Sequence, residues 1–153
     1  MYKKIIILAV LALFITNCGP KVFTPLTAEV TVLKEEKNKT IELQSIGYGN
    51  DRYEAINDAE RKAFEIIFFR GIPNTSVEKP MIGADEASLV SQHKAYFDSF
   101  FKERYRSFIM SSYVSISYEK IDKIFTGANN VKINLLSLKR DLEEQKVIRK
   151  FGL

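Results

Sequence analysis

The sequence predicts an α+β fold: a four-stranded, mainly antiparallel sheet with two long helices and a short C-terminal helix packed on one face. Three observations favour this fold. The strand-like segments come in two pairs, helical periodicities lie between and after the pairs, and no regular strand–helix alternation indicates parallel βαβ units. At 153 residues the chain has the length of a single domain.

The first pair of strands is predicted at Ala28–Leu33 and Thr40–Tyr48, which are rich in Val, Ile, Thr and Leu. The segment 34–39 between them is wholly polar and suits an exposed hairpin turn. Within the second strand, the apolar positions change parity between Leu43 and Ile46. That change predicts a bulge or a twist in the middle of the strand.

The first helix is predicted from Asp51 to about Arg70. Asp51 and Glu54 have the spacing of an N-terminal capping box, with Asp in place of Ser or Thr. A small residue recurs every four positions along one face, at Ala55, Ala59 and Ala63. Such a stripe allows a helix to lie close to a sheet. Gly71 is placed to end the helix, and Pro73 prevents its continuation.

A long loop is predicted at 71–86, because this segment contains two prolines and two glycines. A second helix follows, from Ala87 to about Phe108. Its apolar residues recur at helical spacing, and it carries the only histidine of the chain, His93. A lone histidine here is interpreted as a surface or boundary residue rather than a catalytic group.

The second pair of strands begins with Met110–Tyr118, which alternates between apolar residues and serines. This pattern predicts a half-buried strand with an apolar face made of Met110, Val114, Ile116 and Tyr118. A turn is predicted at 127–130, and the last strand follows at 131–135, where Val131, Ile133 and Leu135 alternate with polar residues. The C-terminal helix is predicted at Leu138–Lys150, with Leu142 and either Val147 or Ile148 facing the core.

The N-terminal residues 1–17 are predicted to be a signal peptide. Two lysines precede an apolar run, residues 5–15, which as a helix would span about 16 Å, roughly half of a bilayer's hydrocarbon core. The run ends in Ile15-Thr16-Asn17-Cys18-Gly19, which resembles the lipobox of bacterial lipoproteins. This resemblance implies that Cys18 is diacylated and becomes the mature N-terminus, with residues 18–27 as a tether and residues 28–153 as the domain.

The residues alone leave three alternatives open for this segment: a buried thiol at Cys18, a cleaved secretory signal, and an uncleaved anchor. In lipoproteins of the enterobacterial type, an Asp after the lipidated Cys favours retention in the inner membrane. Here that position holds Gly19. The resemblance therefore implies an anchor in the outer membrane, with the domain facing the periplasm.

Composition excludes several classes of function. Removal of the signal peptide leaves 21 basic and 19 acidic side chains, interspersed along the chain, so nucleic acid is not an expected partner. A single cysteine and a single histidine exclude a disulfide framework, a Cys-based zinc site and a histidine cluster. Gly47-x-Gly49 is interpreted as a strand-to-helix turn that requires positive φ, because Arg52 occupies the third glycine position of a dinucleotide motif. We predict no catalytic, cofactor or metal site.

The stretch from Ile46 to Pro73 supplies a second resemblance. Its strand, Gly-x-Gly, alanine-patterned helix and final Gly71-Ile72-Pro73 are similar to the compact α+β domain of small envelope lipoproteins and to the N-terminal part of the flagellar assembly protein T. This resemblance covers part of the chain. It implies a non-catalytic, periplasmic protein associated with an assembly.

The expected function is therefore that of a membrane-anchored periplasmic lipoprotein, a non-catalytic accessory or structural component of a secretion- or motility-type envelope assembly. The alternative is a lipid-anchored binding module for a small apolar or cell-wall ligand. The candidate surface for an envelope protein partner combines the long loop with aromatic residues of the first helix, at Ile72, Pro73, Pro80, Met81, Phe64 and Phe68. Tyr53 lies on the same helical flank. Alternatively, the two helices pack on each other and bury these aromatic rings.

Overall fold

The computed structural model describes residues 29–83 and 85–149, and these residues form the predicted α+β fold. Four strands form the sheet: β1 (Val30–Glu36), β2 (Thr40–Gly49), β3 (Ile109–Ile121) and β4 (Ile124–Asn134). They pair antiparallel in the order β1-β2-β4-β3. The predicted signal peptide, Cys18 and the tether lie outside the described residues.

Helix α1 (Arg52–Glu65) continues directly into a π-helical segment (Ile66–Arg70), and together they form the predicted first helix. The other helices are α2 (Glu86–Gln92), α3 (Lys94–Lys102) and α4 (Leu135–Glu144), and a 3₁₀ segment, 104–108, connects α3 to β3. All of these segments except α2 contribute fully buried side chains to one apolar cluster on the sheet.

The predicted ends of the first helix are confirmed. The carboxylate of Asp51 accepts a hydrogen bond from the Glu54 backbone N–H at 2.8 Å, as an N-cap residue does. The Glu54 side chain returns to the backbone N–H of Asn50, one residue earlier than in the standard capping box. At the other end, Gly71 has φ +74° and its N–H bonds to the carbonyl of Ile66, so the chain leaves the helix there.

The predicted bulge in the second strand is wrong. Along β2 the buried positions alternate without interruption through Ile41, Leu43, Ser45 and Gly47, whereas Ile46 and Tyr48 lie on the opposite face. The irregularity is in β1 instead, between Val32 and Lys34. Parity misled because two of the buried positions, Ser45 and Gly47, hold small residues, and apolar periodicity alone does not identify a small residue as buried.

Gly47 shows why those positions are small. A Cβ at Gly47 would overlap the carbonyl oxygen of Ala55 and lie 2.8 Å from the Cβ of Ala59. The predicted positive φ is wrong, because the positive-φ glycines among the described residues are Gly71 and Gly83. The glycine is required by the close approach of α1 to β2. The predicted alanine stripe is confirmed, since its members are fully buried.

The predicted second helix is interrupted. At His93 the backbone has φ −112° and ψ 32°, which separates α2 from α3, and at Glu103 it leaves the helical region again. The apolar spacing continues across both breaks, so periodicity alone did not reveal them. Each piece after His93 still delivers aromatic rings to the interior, at Phe97, Phe100, Tyr105 and Phe108.

These rings form the centre of the core together with two rings from the first helix. The centroids of Phe68 and Phe100 lie 4.9 Å apart, and Phe64 meets Phe100 edge-on at 5.5 Å. Offset and edge-to-face pairs of this kind stabilise a core beyond the area that they bury. Helix α4 closes the cluster with Leu142, and Val147 after the helix is buried too, as predicted, although the helix begins and ends earlier than expected.

The hairpin of β3 and β4 differs most from the prediction. Residues 127–130 lie inside β4, and the turn is at Asp122 and Lys123, whose φ values of +48° and +74° suit a two-residue type I′ turn. The apolar face predicted for the third strand is also wrong. Of its four members only Tyr118 is buried, while the others are 46–54% exposed.

Candidate functional site

The predicted partner surface is only partly accessible. Phe64 and Phe68 are fully buried and Ile72 is 8% exposed, so these three side chains are not available to a partner. This part of the prediction is wrong, and the alternative in which the helices bury their aromatic flanks is correct. Of the three flank aromatics, only Tyr53 is exposed, at 64%.

The loop residues of the predicted surface remain partly exposed. Pro73 is exposed, whereas Pro80 and Met81 are half-buried and line a groove of about 370 Å³ beside the start of α4. The loop is tied to the fold by backbone hydrogen bonds: Ile72 N–H donates to Val77 at 2.8 Å and Met81 N–H to Ile67 at 3.0 Å. The loop therefore lies along the core as a fixed connection.

Exposed apolar side chains lie along β3 instead, on both faces of the strand: Tyr113 pairs with Asn130 on the helix-free face, and Val114 is opposite Asn129 on the helix-covered face. We call this set the β3 surface, and its members are Met110, Tyr113, Val114 and Ile116. Strand β3 is the last strand of the sheet, so its outer edge has no partner strand within residues 29–83 and 85–149. The pairing of β3 with β4 is irregular at three places, which is common at sheet edges.

The sheet face next to the β3 surface is polar and ordered. Tyr113 places its hydroxyl 3.1 Å from a carboxylate oxygen of Glu42 and accepts from the Asn130 amide at 3.1 Å. The Gln44 amide donates to the Ser115 hydroxyl at 3.1 Å. These cross-strand bonds fix the exposed side chains of three neighbouring strands in place, so this face is a preformed surface.

A second feature is an open cleft of about 710 Å³ where β2 passes into α1. Three carboxylates on its walls already have local roles. Asp51 and Glu54 cap α1, and Asp58 accepts hydrogen bonds from the Tyr48 backbone N–H and from Lys62, both at 2.9 Å. These carboxylates therefore stabilise the local structure of the fold.

Lys62 connects this cleft to the start of the described chain. Its ammonium lies 2.7 Å from a carboxylate oxygen of Glu29 and 4.3 Å from the centre of the Tyr48 ring. Burial works to lower the pKa of Lys62, but its hydrogen bonds to Glu29 and Asp58 outweigh burial and raise that pKa. Lys62 therefore stays charged and fixes the beginning of the domain against α1.

The cleft is also lined by three basic side chains, Arg61, Lys102 and Arg106. Arg106 donates to the Tyr53 hydroxyl at 3.1 Å and to the Asn57 side-chain oxygen at 2.8 Å. Arg61 and Lys102 make no hydrogen bond or ion pair within the part of the chain that the structure describes. Sequence reasoning missed this group, although Tyr53, Asn57 and Arg61 follow the i, i+4, i+8 spacing of one helical face.

The remaining side chains that could carry chemistry, the histidine and the paired carboxylates, lie at structural or surface positions. His93 is half-buried at the junction of α2 and α3. Glu35 accepts hydrogen bonds from the backbone and hydroxyl of Ser76, and Asp85 caps α2. No group of three potential metal ligands occurs within the described ranges. A helix long and apolar enough to cross a membrane is likewise absent from those ranges.

No protein-family model, curated protein or solved structure matches this chain significantly. The resemblances of the sequence to lipoproteins and to an assembly protein thus remain predictions.

Proposed function

We propose that this protein is a lipid-anchored periplasmic component of an envelope assembly, with a non-catalytic accessory or structural role. In this proposal Cys18 carries the acyl chains, the outer membrane holds them, and the β3 surface docks an extended segment of another envelope protein. The observation that carries the docking role is the β3 surface: four half-exposed apolar side chains on an edge strand whose outer side has no partner strand among the described residues.

Strand addition to a sheet edge is an established way of binding an extended peptide. Main-chain hydrogen bonds give the affinity, and side chains at alternate positions give the specificity. The free edge of β3 is 13 residues long, which provides room for several such bonds. Tyr113 and Ile116, both on the helix-free side of the sheet, are available to contact the side chains of the added strand.

The irregular pairing of β3 favours a flexible segment over a second copy of this chain. Two copies that pair through β3 would have to match one irregular edge against another, with register shifts near Ser111, Val114 and Ile116 on both sides. A single extended segment adapts its backbone to such an edge at lower cost. The occupant is therefore a strand-forming segment of a different envelope protein.

The alternative role, a binding module for a small apolar ligand, receives less support. Such ligands occupy concave sites lined mainly by apolar side chains. The cleft beside α1 is lined by Arg, Lys, Asp, Glu and Asn side chains, and the apolar interior is filled by the aromatic rings of the core. The geometry is more consistent with surface docking.

The test is site-specific photo-crosslinking of the full chain in its own membranes. A photoreactive amino acid replaces Ile116 on the β3 surface or, as a matched control, Leu136, which is equally exposed but lies beside the loop groove. We expect the Ile116 position to yield one discrete adduct with an envelope protein. Val114→Asp should abolish that adduct without changing the melting temperature.

Each other outcome contradicts a defined part of the proposal. A self-adduct would make the β3 surface a dimer interface, and an adduct from position 136 alone would move docking to the loop. Membrane association is measured in parallel. If a Cys18→Ala variant fractionates with the membranes as the unchanged protein does, the lipid anchor is wrong.

A further inference from the structure

We infer that the cleft where β2 passes into α1 binds a glycan, an uncharged chain of sugar rings such as the glycan strands of the bacterial cell wall. The lining of the cleft selects a sugar. The source of that sugar rests on the proposed function, because a periplasmic domain lies next to the cell wall. Glycan binding adds to the docking role a second site, built from residues that the β3 surface does not use.

The charges that line the cleft are balanced. Three carboxylates and three cations contribute to it: Asp51, Glu54, Asp58, Arg61, Lys102 and Arg106. A ligand with a large net charge of either sign would meet as many like charges as opposite ones. The N-terminus of α1, where a phosphate would bind, is already capped by the Asp51 carboxylate. The cleft therefore favours a ligand without net charge.

The strand beside the cleft is poorly suited to bind a peptide. Strand β1 begins opposite Ser45, so β2 continues beyond it. There the Tyr48 N–H donates to Asp58 at 2.9 Å, and the Ile46 carbonyl accepts from Lys62 at 3.4 Å. An extended peptide would have to break these two bonds before it could add to this edge of the sheet. The ligand is therefore recognised by side chains.

The side chains of the cleft offer both acceptors and donors. The hydrogen bonds described above use Oδ1 of Asp51, Oε2 of Glu54 and Oδ2 of Asp58, so each carboxylate has a second oxygen that can accept from a ligand. Asn57 accepts from Arg106 through its side-chain oxygen, which leaves its amide nitrogen as a donor. A sugar hydroxyl both donates and accepts, so it requires groups of both kinds within reach.

Two exposed tyrosine rings supply flat apolar surfaces in the same cleft. Tyr48 is 40% and Tyr53 is 64% exposed. The Lys62 ammonium lies 4.3 Å from the centre of the Tyr48 ring, and Arg106 donates to the Tyr53 hydroxyl at 3.1 Å. Because these contacts fix the rings before a ligand arrives, binding costs little side-chain entropy. A sugar ring has an apolar C–H face and a polar rim, which match an aromatic ring beside planar polar groups.

The size and shape of the cleft suit a chain of sugars. Its volume is about 710 Å³, in the upper part of the range of about 300–1,000 Å³ that is usual for ligand sites. Because the cleft is open to solvent, the ends of a longer chain can extend beyond it.

The test measures binding of the full chain, solubilised in a detergent without a sugar headgroup, to two probes. Purified cell-wall sacculi are sedimented together with the protein that they bind. A soluble chito-oligosaccharide, which is a neutral oligomer of N-acetylglucosamine, is titrated calorimetrically. We expect binding to both probes, and the soluble oligomer should release the protein from the sacculi.

Salt distinguishes the glycan from the charged parts of the wall. The affinity for the uncharged oligomer should change by less than about twofold between low and high salt. Binding to sacculi alone, lost at high salt, would make the charged wall peptides the ligand and would overturn the inference. Failure to bind either probe overturns it as well.

Tyr53→Ala removes one of the two rings and should weaken binding of the oligomer by about tenfold. Tyr53→Phe retains the ring and should retain most of the affinity. The matched control is Tyr113→Ala, because Tyr113 is 51% exposed but lies on the β3 surface, outside the cleft. If Tyr53→Ala binds as the unchanged protein does, or if Tyr113→Ala loses as much affinity, the cleft is not the glycan site.

The photo-crosslink from position 116 separates this result from the proposed function. Tyr53→Ala should lose glycan binding and keep the adduct with the envelope protein. A protein that gives the adduct but binds neither probe keeps the docking role and overturns the glycan site. A protein that binds the oligomer but gives no adduct keeps the glycan site and overturns the docking role.

Discussion

The two faces of the sheet differ in what they contribute. On one face Ile41, Leu43, Val131 and Ile133 are fully buried beneath the helices and their aromatic cluster. On the other face, polar side chains of β2, β4 and β3 are joined by hydrogen bonds and remain half-buried or exposed. The difference indicates that one face stabilises the fold, while the other is free to present a surface whose residues affect binding more than stability.

The largest loss of stability should come from creating a cavity beneath the helices, on the helix-covered face of the sheet. Phe64 is fully buried and contacts Phe68, Phe100 and Tyr105 through ring pairs. Phe64→Ala removes these contacts and leaves a cavity, so we expect the free energy of unfolding to fall by about 3–5 kcal/mol. Denaturant unfolding followed by circular dichroism measures this change.

The matched control is Ile116→Ala on the β3 surface. This side chain is 53% exposed, and its truncation should change the free energy of unfolding by no more than about 0.5 kcal/mol. Comparable losses for the two variants would show that the β3 surface is part of the structural core, and the contrast between the two faces would then be wrong.

The contact between α1 and β2 should be sensitive to a single methyl group. Gly47→Ala places a Cβ against the Ala55 carbonyl and 2.7 Å from the Ala59 nitrogen, both of which are backbone atoms. Helix α1 must then move away from the sheet, at a cost of about 3 kcal/mol, measurable as a lower melting temperature.

Ser45→Ala provides the comparison for that variant. Ser45 is the preceding buried position of the same strand, and its hydroxyl has no hydrogen-bond partner among the described residues. Removing an unpaired buried hydroxyl should leave the protein equally stable or slightly more stable. If Gly47→Ala is as harmless as Ser45→Ala, the close approach of α1 does not limit the fold.

The features of the fold that depend on local patterns were predictable from the sequence. The cap at Asp51, the alanine stripe and the stop at Gly71 each follow from a short-range physical rule, and all three are observed. The burial of Ser45 and Gly47 was not predictable, because it depends on which strand the helix approaches, a tertiary contact that strand periodicity does not encode.

The candidate site was less predictable for a related reason. The prediction identified aromatic residues as a surface, but an aromatic flank looks the same in sequence whether a second helix covers it or not. Phe64 and Phe68 are covered, and the exposed apolar side chains lie on β3 instead. The hairpin turn at Asp122 and Lys123 lacks the glycine usual in type I′ turns, so the strand ends, and with them the exposed edge, were misplaced.

The last expected effect concerns a charge on the helix-covered face of the sheet. Glu65 at the end of α1 is 8% exposed, and burial raises the pKa of its carboxyl to about 8, with the nearby Asp58 acting in the same direction. In the unfolded chain this carboxyl has its ordinary pKa of 4.5. Between these two values the folded protein binds a proton that the unfolded chain has released.

The free energy of unfolding should therefore fall as the pH rises from 4.5 to 8, and the full loss should be present above pH 8. Glu65→Gln resembles the protonated carboxyl, so the variant should match the unchanged protein at pH 4.5 and be more stable than it above pH 8. Unfolding of both proteins at the two pH values measures the difference. Glu78→Gln, at an exposed carboxylate, is the control for removing a surface charge. A gain in the free energy of unfolding for Glu65→Gln that does not vary with pH would mean that Glu65 is not protonated in the folded protein. The helix-covered face of the sheet would then tolerate a buried charge as readily as the helix-free face tolerates an exposed one.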